Sequence, residues 1–250
     1  MMAETRFLET EQGRRIAYHH HPGSGPTVIF LGGLKSDMEG TKAIHLEAWA
    51  KARGQAFLRF DYSGHGESSG TFEEGCIGDW HQDSVAAIST LIEGPILPVG
   101  SSMGGWQALL LAKAMPERIC GMATIAAAPD FTEDGYWESF TEAQKAELET
   151  RGYVELPSDY MEPYRISKRL IEDGRDHLVL RGPLALPFPV RSLQGTADTA
   201  VSTETALRLL DHVTCEDMRL TLVKDADHRF SDGPCLGLIE AAVQELADRV

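Results

Sequence analysis

The chain is poor in cysteine and contains no long hydrophobic run. Four cysteines are spread over 250 residues without a C-x-x-C pair, a pattern that argues against a zinc site and against a redox-active disulfide. We expect free thiols in a reducing compartment. No run approaches the roughly 18 apolar residues of a membrane-spanning helix, and the first residues lack the apolar stretch of a secretory signal. The sequence therefore predicts a cytoplasmic protein without a membrane span.

Basic residues are also scarce, with 23 Lys and Arg against 38 Asp and Glu and a net charge of −15. A surface of this charge repels nucleic acid, which we exclude as a partner. A small anionic substrate is still allowed, because the lining of one cleft can differ from the average. With 42% hydrophobic and 24% charged residues and no repeat period, the chain is expected to form one domain over residues 1–250. The oligomeric state is left open.

Short apolar runs alternate with helical patterns along most of the chain. A hairpin at residues 6–21 is followed by predicted strands at 27–31, 56–60, 96–100, 121–128, 189–193 and 218–223, and by helices near 40–53, 77–92, 107–115, 204–213 and 236–250. Strands that alternate with helices favour a parallel sheet. The sequence predicts an α/β protein with a mostly parallel, eight-stranded sheet flanked by helices.

The alternation stops over residues 131–187, which follow the sixth predicted strand. Charged amphipathic pieces near residues 138–151 and 164–173 predict a mostly helical lid inserted between strands. Four aromatic residues in this segment allow two interpretations: they line an acyl pocket, or they pack the lid onto the sheet. They are Tyr136, Trp137, Phe140 and Tyr153.

A serine at a G-x-S-x-G pattern is the first candidate for chemistry. Ser102 lies in this pattern at residues 100–104, between an apolar run and a helix-forming stretch. The arrangement is typical of a nucleophile elbow, a tight strand-to-helix turn that lifts the serine hydroxyl into a cleft. Glycine is needed two residues on either side, since larger side chains would collide with the tightly wound backbone.

A serine hydroxyl needs a base to remove its proton and a carboxylate to orient that base. Among nine histidines, His228 is the one that follows the last predicted strand and precedes the last helix. Asp198 follows the preceding strand and is the predicted acid. Asp130 is the rival acid, because its loop also ends a strand beside the expected cleft.

Acyl transfer also requires hydrogen-bond donors for the oxyanion that forms on the substrate. We predict the backbone N–H groups of Met103, at the start of a helix, and Leu34, in the glycine-rich loop after the first parallel strand. This chemistry needs neither a metal ion nor an organic cofactor, and none is predicted.

Three stretches carry a family resemblance: residues 57–68, 100–106 and 225–229. On these residues, the chain resembles the α/β-hydrolase superfamily over its whole length. It is most similar to the abhydrolase branch of mycophenolic acid acyl-glucuronide esterases and acyl-protein thioesterases. The chain order serine, aspartate, histidine is also that of α/β-hydrolases. The resemblance implies a triad of Ser102, Asp198 and His228, and hydrolysis of esters or S-acyl thioesters through an acyl-serine intermediate.

We therefore expect a serine hydrolase whose substrate is a small-molecule ester or an S-acylated compound. Two alternatives are left open. One is a general short-chain carboxylesterase. The other is a binding protein that has the hydrolase fold but no turnover.

Overall fold

The computed structural model describes residues 4–156 and 164–250. The strands are β1 (Arg6–Glu9), β2 (Arg15–His21), β3 (Ser24–Leu31), β4 (Gln55–Phe60), β5 (Ile96–Ser101), β6 (Met122–Ile125), β7 (Tyr153–Leu156), β8 (Tyr164–Ser167), β9 (Leu184–Ala185), β10 (Val190–Gly195), β11 (Val213–Thr214) and β12 (Met218–Val223). The α-helices are α1 (Thr41–Arg53), α2 (Ile77–Leu91), α3 (Met103–Ala114), α4 (Glu142–Arg151), α5 (Lys168–Asp176), α6 (Thr203–His212) and α7 (Gly233–Ala247). A π-helix spans Thr132–Trp137.

Eight of these strands form the central sheet, in the order β1-β2-β4-β3-β5-β6-β10-β12. The pairs β1/β2 and β2/β4 are antiparallel, and every pair from β4 to β12 is parallel. The inner strands β4, β5 and β10 are buried along their whole length, as expected of parallel strands covered on both faces. The predicted α/β fold with a mostly parallel, eight-stranded sheet is confirmed.

Two hydrophobic clusters lie on opposite faces of the sheet. One cluster joins the sheet to α1 and α7, where Leu46 and Ile239 are fully buried. The larger cluster joins it to α2, α3 and α6 and contains Trp80 and Trp106, both fully buried. Because side chains alternate across each strand, consecutive strand residues supply the two clusters in turn, for example Ile29 to the larger one and Phe30 to the other.

Residues 131–187 follow β6, the sixth strand, and precede β10. The second predicted helix begins at Lys168 instead of residue 164, because β7 and β8 form an antiparallel hairpin in which Val154 pairs with Ile166. Both side chains are buried, so alternation of apolar and polar residues overrides the helical spacing predicted for residues 164–167. Residues 157–163 of the predicted lid, and residues 1–3 of the predicted domain, lie outside the described residues. The segment that we predicted to be mostly helical therefore combines helices with a hairpin.

Among the described residues, no helix is both long enough and apolar enough to cross a membrane. All four cysteines are free thiols: Cys76, Cys120, Cys215 and Cys235.

Candidate active site

Ser102 lies at the sharp turn between β5 and α3. Its φ of 56° and ψ of −120° are rare for a residue with a side chain and cost about 1–3 kcal/mol. Backbone hydrogen bonds hold the turn in place: the Ser102 N–H donates to the Ile125 carbonyl at 2.9 Å, and the Ala128 N–H donates to the Ser102 carbonyl at 3.0 Å. The end of β6 therefore fixes the conformation that exposes the hydroxyl.

The two glycines of the elbow have no room for a side chain. A Cβ at Gly100 would lie 2.2 Å from the Gly104 carbonyl oxygen, and a Cβ at Gly104 would lie 2.0 Å from the Leu31 carbonyl oxygen. Neither distance is compatible with van der Waals contact. The steric reason that predicts glycine at both positions of the pattern is thus visible in the turn.

The structure brings the three predicted side chains together. Ser102 Oγ lies 3.2 Å from His228 Nε2, and His228 Nδ1 lies 2.8 Å from Asp198 Oδ2. A carboxylate oxygen can only accept, so His228 Nδ1 carries the proton and Nε2 accepts the hydrogen bond from the serine hydroxyl. This tautomer is the one that a general base needs.

The loops that carry Asp198 and His228 are packed directly against each other. The Ala197 N–H donates to the Ala226 carbonyl at 3.0 Å, and the Asp225 N–H donates to Thr196 Oγ1 at 2.9 Å. A Cβ at Gly195 would lie 2.2 Å from the Ala226 carbonyl oxygen, so this approach also depends on glycine.

The Asp198 carboxylate has no exposed surface and is surrounded by donors. Its Oδ1 accepts from the Ala200 and Val201 amides, each at 2.8 Å, and its Oδ2 also accepts from Gln194 Nε2 at 3.0 Å. Burial alone would raise the pKa of this carboxyl, but the hydrogen bonds from His228 and from the Val201 amide outweigh burial and lower the pKa below its ordinary value. Asp198 is therefore ionised at neutral pH.

Gln194 contributes to this site and was missed from the sequence. Its carboxamide is completely buried and also donates to the Val201 carbonyl at 2.9 Å. A polar residue near the end of a buried strand, four residues before the acid, was the available signal. A buried polar side chain needs partners, and here they include the Asp198 carboxylate and the Val201 carbonyl.

Asp130, the rival acid, has other partners. Its fully buried carboxylate accepts from the Val179 and Leu180 amides at 2.7 and 2.9 Å, and Arg181 lies 3.3 Å away. The carboxylate that contacts His228 is that of Asp198. Asp130 instead attaches residues 179–181 to the end of β6.

The two predicted oxyanion donors are next in sequence to Ser102 itself and to Gly33, a residue packed against it. Met103 is the first residue of α3, so its N–H is among those at the helix N-terminus without an intrahelical partner. Leu34 follows Gly33, where a Cβ would lie 3.3 Å from Ser102 Cβ. The loop after β3 therefore contacts the serine, and the positive end of the α3 dipole points to the same place.

Part of segment 131–187 covers α3 with aromatic side chains. The Phe131 ring lies 5.5 Å from Trp106, and Tyr136 lies 5.4 Å from Phe131. Phe140 stacks on Tyr136 at 6.2 Å. Burial raises the pKa of Tyr136 to about 12, so its hydroxyl stays protonated.

The other two predicted aromatic residues make contacts with cations. The Trp137 ring lies beneath the charged groups of Lys145 and Arg175, and the Tyr153 ring lies between those of Arg151 and Arg165. Tyr153 therefore belongs to the outer face of the hairpin.

Among the described residues, no group of three or more His, Cys, Asp or Glu side chains is arranged to hold a metal ion. A surface groove of about 420 Å³ between α1 and α7 is lined by His45, Trp49 and Glu240. It contains none of the residues of the Ser102 site.

Residues 28–249 match the model of the Alpha/beta hydrolase family. The chain belongs to this family. The α/β-hydrolase resemblance derived from the three motif stretches is thereby confirmed.

Several members of the family are similar over nearly the whole chain. Bovine (Bos taurus) palmitoyl-protein thioesterase ABHD10, mitochondrial, is 35% identical over 98% of this chain and 80% of its own length. The crystal structure of a putative hydrolase from Agrobacterium vitis S4 is 38% identical with a TM-score of 0.94, covering 98% of both chains. Alpha/beta hydrolase domain-containing protein 10 from mouse is 33% identical with a TM-score of 0.91, covering 99% of both. These relatives fit the acyl-protein thioesterase branch.

The relatives also correct the predicted location. Those from cattle, mouse and human are named as mitochondrial proteins. The cytoplasmic prediction is therefore wrong, and the relatives point to mitochondria instead. Free thiols indicate a reducing environment but not which organelle supplies it, since an organelle address is read by receptors rather than expressed in the folded domain.

Proposed function

We propose that this protein is a serine hydrolase that cleaves S-acyl thioesters through an acyl-serine intermediate. The observation that carries the proposal is the hydrogen-bonded line from Ser102 Oγ through His228 to Asp198, with separations of 3.2 and 2.8 Å. Relatives named palmitoyl-protein thioesterase support the thioester as the bond that is cleaved.

In this proposal, Ser102 Oγ attacks the acyl carbonyl carbon while His228 Nε2 takes the hydroxyl proton. Asp198 stabilises the imidazolium and holds its ring orientation. The N–H groups of Leu34 and Met103 bind the oxyanion, and His228 then returns the proton to the leaving sulfur. A water molecule, activated by the same histidine, hydrolyses the acyl-serine and releases a carboxylic acid.

The acyl chain lies against the partly exposed rings of Phe131 and Tyr136, which pack on the buried side chains of Trp106 and Phe140. Trp106 belongs to α3, whose first residue directly follows the nucleophile. Segment 131–187 thus serves as the lid of the site. Apolar contact contributes about 0.8 kcal/mol for each methylene buried, so a long chain should bind more tightly than a short one.

The first test is covalent labelling with a fluorophosphonate, followed by peptide mapping. We expect one adduct, on Ser102, and no labelling of Ser102→Ala. Ser101→Ala is the matched control because it removes the neighbouring hydroxyl and should leave labelling intact. A folded wild-type protein without an adduct on Ser102 would rule out the mechanism.

A second measurement addresses the substrate. Thioesters and p-nitrophenyl esters with acyl chains from two to sixteen carbons are compared by kcat/KM. We expect kcat/KM to rise with chain length and to favour the thioester. A preference for two- to four-carbon oxygen esters would support the general carboxylesterase instead.

A further inference from the structure

His65 is a buried histidine outside the triad, in the turn that follows β4. Its residue surface is 4% exposed, and three aromatic rings surround the imidazole edge-on. The ring centroids of Tyr62, Phe72 and Trp80 lie 5.6, 5.5 and 5.1 Å from it. A polar ring in such an apolar cage must satisfy both nitrogens with protein partners.

The partners of His65 define its tautomer. Nδ1 lies 3.2 Å from the Ser63 carbonyl oxygen, which only accepts, and Nε2 lies 3.1 Å from the backbone N–H of Lys35, which only donates. The ring is therefore neutral, with the proton on Nδ1. Burial lowers the pKa of His65 to about 4, so this state persists over the physiological range.

Lys35 occupies a strained position in a tight turn. The turn runs from Gly33 to Ser36 and is closed by the Ser36 N–H donating to the Gly33 carbonyl at 3.1 Å. Lys35, at the third position, has a φ of 58°. A positive φ there is the mark of a type II turn, which normally has glycine or asparagine at this place. A lysine favours the type I turn, in which the central peptide between the second and third residues points the other way.

The hydrogen bond to His65 Nε2 opposes the preference of lysine for a type I turn. The N–H that His65 binds belongs to the Leu34–Lys35 peptide, the one that reverses between the two turn types. Tyr62 adds a contact of 3.4 Å between its hydroxyl and the Gly32 carbonyl. The same turn contacts the nucleophile, since a Cβ on Gly33 would lie 3.3 Å from Ser102 Cβ. Reversal of that peptide would turn the Leu34 carbonyl and the Lys35 N–H, whereas the Leu34 N–H belongs to the preceding Gly33–Leu34 peptide. The hydrogen bond from Lys35 to His65 therefore anchors the turn that carries the Leu34 N–H next to the reacting serine.

We propose that His65 is a positioning residue for the oxyanion site: its neutral Nε2 accepts from the Lys35 N–H and so anchors the turn at Gly33–Ser36, which carries the predicted donor Leu34, beside Ser102. The inference rests on the proposed function of Ser102 and Leu34. His65 touches no reacting atom. It acts by keeping a donor in place before the substrate arrives, which is the condition for electrostatic stabilisation of a transition state.

Three substitutions separate the acceptor from the packing. His65→Gln can place a carbonyl oxygen near the Nε2 position, His65→Asn reaches only the Nδ1 position, and His65→Phe keeps the aromatic volume but has neither hydrogen bond. Loss of a whole oxyanion donor typically lowers kcat by about 10²–10³-fold. We expect kcat to fall about 30- to 100-fold in the asparagine and phenylalanine variants, less than fivefold in the glutamine variant, and KM to stay within about twofold.

A purely structural role predicts the opposite order. Phenylalanine would then fill the cage best and retain activity, while glutamine would do worst. Phe72→Leu is the control, because it loosens the same cage without removing a hydrogen bond; its thermal stability should fall while its kcat stays within about threefold. Equal kcat in wild type and His65→Phe, or equal losses in the glutamine and asparagine variants, would overturn the proposal.

The test distinguishes this inference from the proposed function. Fluorophosphonate labelling of wild-type Ser102 reports on the function alone. The ¹⁵N chemical shifts of the His65 ring report on its tautomer without any turnover, and we expect the Nδ1–H form at pH 7. If Ser102 is labelled but the His65 variants keep the wild-type kcat, only the role of His65 is overturned. An Nε2–H tautomer would overturn that role even if Ser102 reacts.

Discussion

Replacing Asp198 by asparagine tests the hydrogen bond that fixes the tautomer of His228, with almost no change in shape. Asp198 Oδ1 accepts from the amides of Ala200 and Val201, so the carbonyl oxygen of the new side chain must stay there. Its NH₂ group then replaces Oδ2 and points at both His228 Nδ1 and Gln194 Nε2. Two donors would face each other at each contact.

His228 can relieve this conflict by moving its proton to Nε2. In that tautomer the ring donates toward Ser102 and can no longer accept the hydroxyl proton. Gln194 can rotate its carboxamide, whose oxygen lacks a partner, but its NH₂ then gives up the Val201 carbonyl. The change therefore preserves the fold and removes the base.

The magnitude follows from the serine protease template, in which the same replacement lowers kcat by about 10⁴-fold, or about 5.4 kcal/mol of transition-state stabilisation. We expect a similar loss in kcat for hydrolysis of a p-nitrophenyl ester at pH 7, with an equal loss in the rate of fluorophosphonate labelling. The free energy of unfolding should change by only about 1–3 kcal/mol, the usual effect of an altered buried hydrogen bond.

Asp130→Asn is the matched control, because that carboxylate is equally buried but binds the Val179 and Leu180 amides. We expect it to destabilise residues 179–181 and to reduce kcat far less than Asp198→Asn does. If Asp198→Asn lost less than tenfold in kcat, or if Asp130→Asn lost more than Asp198→Asn, the assignment of the acid would be refuted.

Two further predictions concern stability. Gly104→Ala would place a Cβ 2.0 Å from the Leu31 carbonyl oxygen and should lower the free energy of unfolding in urea by about 3 kcal/mol or more. The control Gly237→Ala, in an open part of α7, should raise the free energy of unfolding by about 0.5–1 kcal/mol. Equal effects of the two variants would contradict the steric account of the elbow. Burial lowers the pKa of both His65 and His81 from 6.5 to about 4. Between these pH values the unfolded chain binds more protons than the folded chain, so the free energy of unfolding should decrease as the pH falls from 6.5 to 4. Each histidine contributes about 1.4 kcal/mol per pH unit in this window. His65→Gln should reduce the slope by about one proton, and an unchanged slope in that variant would argue against a buried neutral ring.

Much of the fold could be predicted from the sequence because its signals are local. Strands β4 and β5 are short, nearly continuous apolar runs between turn residues, and this pattern reflects burial on both faces wherever the strands lie. The hairpin of β7 and β8 was missed because its two strands are only four residues each. The helical spacing expected for residues 164–167 competes there with pairing to β7, which the sequence does not reveal.

The G-x-S-x-G pattern around Ser102 predicts the elbow from the sequence itself. Gly100 is required within the turn, by the Gly104 carbonyl oxygen, whereas Gly104 is required by the Leu31 carbonyl oxygen of the neighbouring strand β3. The choice between Asp198 and Asp130 was not determined in this way. Both carboxylates follow strands that end at the same edge of the sheet, and only the folded chain brings the Val179 and Leu180 amides to one and His228 to the other. Likewise, the Gly-His-Gly sequence at residues 64–66 favours a turn, but the N–H that binds its histidine belongs to Lys35, 30 residues earlier. Local sterics can be read from neighbouring residues, whereas hydrogen bonds between distant loops exist only once tertiary packing has excluded water and brought the donor and the acceptor together.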